Sequence, residues 1–348
     1  MDLSCFAQIP KSRPGKSSCC ILGLRTNADC GLSEVLIKDI PDDCTSVIYT
    51  SIFVDLNYHV YEPMETDFKV LDSMLKSGKP VFTYYGHETQ SQWSVVLACE
   101  SYNGGANSLD EMKGLTAFFD EHPGIVGVIL TSLQFDITTS SEFPGYSENL
   151  KTYIEVMKKT FPKLLIGLDI FGIALIDQFN NPKFKWLDIT VIDSAVDFYV
   201  VTMEYFNSCT VDLRNTGIAP MNGSNTNYTL DTLKDVLQQL SFPKEKTYFK
   251  FRTSPTSPDD SLTVCDVNNE KMCIDPSIAC DWCADTILSY NEKGQYSKEN
   301  GEGFMVRYID MDDPDNCCNC EKPYPAFHAM LDGFKGVSTK LCELLIRH

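Results

Sequence analysis

The sequence predicts a single closed (β/α)8 barrel. Three observations carry that expectation: eight short apolar runs, amphipathic segments between them, and no interval that reads as an interdomain linker. The runs are CCILGLR (19–25), TSVIYTSIFVD (45–55), KPVFTYYG (79–86), IVGVILTSL (125–133), LLIGLDIFG (164–172), VDFYVVTMEYF (196–206), KTYFKFR (246–252) and GFMVRYIDM (303–311). Each has the length and the β-branched and aromatic content of a buried strand. One barrel accounts for the whole chain, residues 1–348.

The segments between the runs carry helix punctuation. Glu65 to Lys76 stops at Gly78-Lys79-Pro80, Ser108-Leu109-Asp110-Glu111 has the capping-box pattern, and Ser147 to Thr160 ends before Pro162. Thr229 is the expected cap of a helix that ends before Pro243. Residues 254–300 differ in texture, being polar and rich in cysteine, and read as an excursion pinned by disulfides, with a helix near Asp281 to Lys298.

Charge and cysteine content narrow the function classes. With 29 basic and 48 acidic residues the formal charge is -19, which repels nucleic acid and anionic membranes alike. No apolar run reaches the roughly 18 to 20 residues that span a bilayer. The opening MDLSCFAQIPKSRPGKSS lacks the apolar core of a signal peptide, so a mature form is expected. Fifteen cysteines and the N-glycosylation patterns at Asn222-Gly223-Ser224 and Asn227-Tyr228-Thr229 point to a secreted protein. Cys280-x-x-Cys283 and Cys317-x-x-Cys320 have the pairwise spacing of a zinc site, but the long interval between them and the neighbouring Cys265, Cys273 and Cys318 favour disulfides. The histidines form no metal-ligand spacing, and neither a phosphate-cradling loop nor a nucleophile elbow is present, so no cofactor is expected. His87-Glu88 is the only histidine-acid neighbour pair near a strand end, and surface solvation explains it.

Several local patterns recur in one known family. Met203-Glu204-Tyr205-Phe206 follows Val196-Asp-Phe-Tyr-Val-Val-Thr, the run Gly303-Phe-Met-Val-Arg-Tyr-Ile-Asp-Met-Asp-Asp313 closes the barrel, and Cys20 and Cys44 flank the first interval. In this order the chain resembles glycoside hydrolase family 18, the chitinases and chitinase-like lectins. The resemblance implies a Met-x-Tyr-Asp sugar-site strand at 203–206, a sugar-floor position at Arg307, and a disulfide joining Cys20 to Cys44. In the third strand the family's Ser-x-Gly-Gly becomes Thr83-Tyr84-Tyr85-Gly86.

The fourth strand departs most. The family pattern Asp-Gly-x-Asp-x-Asp-x-Glu, anchored on Gly127, falls on Val126, Ile129, Thr131 and Leu133, so all four acids are absent. Cleaving a glycosidic bond needs a proton donor held near the leaving oxygen and tuned by neighbouring carboxylates. Leucine donates no proton. By strand alternation Ile129, Thr131 and Leu133 are expected to face the lumen. Phe206 replaces the pattern's Asp, and Arg307 its Trp.

The resulting expectation is a secreted chitinase-like protein without catalysis, binding a carbohydrate or an apolar small molecule such as a lipid or pigment. Its pocket would be lined by Tyr84, Tyr85, Ile129, Thr131, Leu133, Met203, Tyr205, Phe206 and Arg307. Arg307 would meet a ligand carboxylate or bridge to Glu204, Asp310 or Asp312. Asp310, Asp312 and Asp313 match the family's strand ending without a cation. The alternatives are a divergent hydrolase using Asp136, Asp169 or Asp310, and a signalling or storage glycoprotein with no pocket ligand. The α+β insertion of many chitinases is expected to be missing from 254–300, leaving a shallow cleft. The oligomeric state is not set by the sequence.

Overall fold

The structure is a computed structural model and describes residues 13–23, 35–55, 57–61, 68–87, 93, 96–97, 106–133, 145–182, 185–223, 226–263 and 265–342. Eight parallel strands close a TIM barrel: Ser17–Ile21, Ser46–Val54, Val81–His87, Ile125–Leu130, Leu165–Phe171, Phe198–Thr202, Thr247–Arg252 and Gly303–Arg307. The first strand pairs with both the second and the eighth, which removes every barrel edge. A two-residue strand, Val60–Tyr61, adds antiparallel to the second. The predicted runs all hold strands, but the first, fourth, sixth and eighth end early. Ser132 and Tyr205 adopt left-handed φ values of 61° and 57°, so the backbone leaves the pleat just past the fourth and sixth strands.

Helices cover the outside. Leu230–Gln239 starts where expected, with Thr229 Oγ1 accepting the Thr232 N–H at 3.1 Å. The capping box at Ser108 is a correction: that helix runs over Ala106–Glu121, and Glu111 is fully buried, accepting the hydroxyls of Tyr85 and Tyr153. Ile287–Asn300 and Pro325–Lys335 lie almost backbone to backbone. A Cβ at Gly333 would stand 1.9 Å from the Asn291 carbonyl oxygen, so only glycine permits the approach.

The disulfides need one correction. Cys44 pairs with Cys19, and Cys20 is a free, buried thiol. Alternation along the first strand explains it: Cys19 faces the outer layer, where the second strand begins, and Cys20 faces the lumen. Elsewhere Cys283 pairs with Cys209, Cys273 with Cys318 and Cys320 with Cys342, while Cys280 and Cys317 are free, so the two C-x-x-C pairs do not act as thiolate sets. Among the described residues of 254–300, the only helix before Ile287–Asn300 is the short Asn269–Ile274.

We expect Cys19→Ser to cost about 3 kcal/mol, from the loop entropy of a bridge spanning 25 residues, and Cys20→Ala about 1 kcal/mol. Urea melts of the two variants check the pairing, and equal losses would contradict it. Burial pushes the Cys20 thiol up to about 11, so iodoacetamide should modify exposed Cys280 in the native protein and spare Cys20.

Candidate binding site at the barrel mouth

The lumen is filled. Cys20, Ile48, Phe82, Tyr84, Ile129, Leu165, Phe198, Val200, Tyr248 and Met305 form one buried cluster with Val126 and Tyr308 packed against it. Gly127 belongs there for steric reasons, since a Cβ would stand 2.7 Å from the Phe82 ring. Above this layer sit Asp169 and Lys250, both buried, with Lys250 Nζ 3.3 Å from Asp169 Oδ1 and 4.4 Å from the centre of the Tyr84 ring. Burial works against the ammonium, but Asp169, then Tyr84 and Cys20, outweigh it and raise the Lys250 pKa, so the side chain is charged at neutral pH. Thr131 Oγ1 donates to Asp169 Oδ2 at 3.3 Å.

Four expected pocket residues are placed elsewhere. Leu133 is 1% exposed and belongs to the outer core, because the turn at Ser132 reverses the alternation. Tyr85 lies one residue off the lumen-facing register of Phe82 and Tyr84, and its hydroxyl reaches Glu111 behind the sheet. Met203 and Phe206 are buried against Gly172 and Leu233 in the outer layer. Phe206 therefore adds nothing to the lumen's apolar character. His87 is also corrected: it is buried, 3.2 Å from Glu111 and in edge contact with Trp93, while Glu88 lies outside the described residues.

The carboxylates of the eighth strand's ending hold backbone. Asp310 accepts the N–H groups of Leu22 and Gly23, Asp312 those of Ala326 and Phe327, and Asp313 those of Cys317 and Cys318. They tie the barrel's mouth to the first loop, the last helix and the cysteine-rich segment. Asp136 lies outside the described residues. Asn222 and Asn227 are exposed, in the loop before Leu230–Gln239, and Ser224 of the first sequon lies outside the described residues.

A cavity of about 570 Å³ sits at the carboxyl ends of the sixth, seventh and eighth strands, the end where barrel proteins carry their sites. Glu204, Tyr205, Arg252, Arg307 and Tyr308 line it, with Ser257, Asp259 and Asp260 of the excursion on its side. Arg307 is ion-paired to Glu204, donates to the Tyr308 hydroxyl, and lies 4.5 Å from the centre of the Tyr308 ring. Tyr205 is 68% exposed. Tyr205 and Arg307 are thus brought together, while Tyr84, Ile129 and Thr131 lie deeper in the lumen. Arg252 and Tyr308 were missed from the sequence. The signal was present for Arg252: period-two alternation along TYFKFR puts Tyr248, Lys250 and Arg252 on one face.

No family model and no curated relative matches the sequence. Solved structures do match. Catalytic domain 2 of the Group II chitinase of Ostrinia furnacalis superposes with a TM-score of 0.71 at 13% identity, covering 96% of this chain and 100% of that one. The fold is that of the chitinases. The chitinase-type barrel is shared with human YKL-39, a pseudo-chitinase with retained chitooligosaccharide binding, at a TM-score of 0.67, 15% identity, and coverage of 92% and 100%. It is shared too with the immunomodulatory active chitinase of Trichuris suis, at 0.68, 14%, 92% and 100%. Neighbours of this chitinase-type barrel therefore include both active enzymes and a pseudo-enzyme.

Proposed function

We propose that this chain is a secreted, non-catalytic chitinase-like protein that binds carbohydrate in the cavity between Tyr205, Arg252, Arg307 and Tyr308. The observation that carries the reading is the fourth strand: Ile129 and Thr131 face inward without an acid, and Leu133 faces the outer core. Of the other candidate acids, Asp169 is held by Lys250, and Asp310 by two backbone amides. Neither is placed as a proton donor beside an open subsite. The filled lumen counts against an apolar ligand there, since seven of its side chains, Cys20, Ile48, Phe82, Ile129, Phe198, Val200 and Met305, are wholly buried against one another. Exposed Tyr205 beside hydrogen-bonding groups suits a sugar ring, whose faces are apolar and whose edges are polar. Chitooligosaccharide binding by the pseudo-chitinase YKL-39 supports the same reading. Disulfides and the exposed sequons at Asn222 and Asn227 support secretion.

The test is calorimetric titration with chitotetraose alongside chromatography of the same mixture after prolonged incubation. Binding with the tetrasaccharide recovered intact is expected. Its conversion to shorter sugars, lost in Asp169→Asn, would replace this reading with a divergent hydrolase.

A further inference from the structure

Arg252 ends the seventh strand and lines the cavity. Its only hydrogen bond among the described residues runs from Nε to Ser254 Oγ, at 2.9 Å, and no carboxylate among them pairs with it. The titratable groups that act on it are the phenols of Tyr205, Tyr290 and Tyr308, with no carboxylate among them. The neighbouring inward cations differ: Arg307 is matched by Glu204, and Lys250 by Asp169. Burial pushes the Arg252 pKa down, which reports the cost of withdrawing this guanidinium from water, although arginine stays charged at any physiological pH. A half-buried cation with both Nη groups unpartnered beside a cavity is a place where a ligand supplies the missing anion. Its planar fork matches a carboxylate through two parallel hydrogen bonds.

The remaining charges around the cavity set the ligand's shape. Glu204 is spent on Arg307, and Asp259 accepts the N–H and hydroxyl of Ser261, while Asp260 is exposed at the rim. The floor is therefore cationic and the rim acidic, on a chain of net charge -19. A polyanion would run across Asp259 and Asp260 and meet repulsion; a single acidic residue at the end of a neutral glycan would not.

Resting on the carbohydrate reading above, we propose that the cavity selects a glycan ending in one acidic sugar, its carboxylate on Arg252 and its ring against Tyr205.

Two matched pairs test this by calorimetry on the full chain, 3′-sialyllactose against lactose and cellobiouronic acid against cellobiose, with chitotetraose as a neutral reference. At least one acidic sugar should bind about tenfold or more tightly than its neutral partner, with the margin shrinking as salt rises. Arg252→Gln should abolish the margin, and Arg252→Lys, which keeps the charge and loses the fork, should leave part of it. Should Arg252→Gln fail to fold, the salt dependence of the wild-type margin decides, because a preference insensitive to salt overturns the proposal. Chitotetraose binding without any acidic preference would overturn the Arg252 role and leave the carbohydrate reading intact. Failure of every sugar to bind would overturn both.

Discussion

Leu133→Glu leaves the protein without hydrolysis of chitotetraose and lowers its stability by about 3 kcal/mol or more. On alignment alone the substitution restores the family's proton donor. In the fold it does not, because Leu133 is 1% exposed in the outer core, and its carbonyl accepts the Tyr146 hydroxyl at 2.8 Å. A carboxyl there is shut away from both water and lumen. Burial would raise the introduced glutamate's folded pKa above its unfolded value of about 4.3. The folded state then holds more protons than the unfolded one above that pH, and stability falls as pH rises. The deficit against wild type should be smallest near pH 4 and should widen toward neutrality. Urea melts across that range, with product analysis on chitotetraose, check both halves. Any turnover would mean that the chain after Leu130 turns inward, contrary to the left-handed turn at Ser132.

Asp169→Ala should cost about 3 to 5 kcal/mol, since it strands the Lys250 ammonium in the barrel. The two side chains are 7% and 5% exposed, so water cannot take over the lost carboxylate. The Tyr84 ring would remain under the ammonium, but a cation–π contact does not replace a counter-charge at this depth. Replacing both residues, Asp169→Leu with Lys250→Met, should recover most of the loss, because a buried ion pair and a packed apolar pair of similar volume differ little in net stability. A double-mutant cycle from denaturant melts measures the coupling. If the double variant is as unstable as the sum of the two single ones, the pair is not coupled and Asp169 serves another purpose.

The barrel was legible because its evidence is local and repeated. Each of the eight runs carries strand composition between turn or helix signals, and the first and eighth strands meet because the rest leave no edge free. The site was legible only in part. Tyr205 and Arg307 were found by motif position, and both line the cavity. Leu133 was misplaced because period-two alternation holds only while the backbone stays pleated, and Tyr85, Met203 and Phe206 because a motif position does not fix the face that a side chain takes. Beyond Leu130 and Thr202 the strands end, and each step past a left-handed residue changes the facing. The same one-residue error exchanged Cys19 for Cys20 as the partner of Cys44.

The sequence by itself determined the fold class, the absence of acids from Val126, Ile129, Thr131 and Leu133, and the strong negative charge, because these are properties of residue type and order. Tertiary structure alone decided that the lumen is packed, that a cavity lies over the sixth to eighth strands, and that among the described residues Arg252 lacks a carboxylate while Arg307 has one. Those outcomes depend on which side chains from distant strands meet. Glu204 reaches Arg307, and Asp169 reaches Lys250, only once the barrel closes.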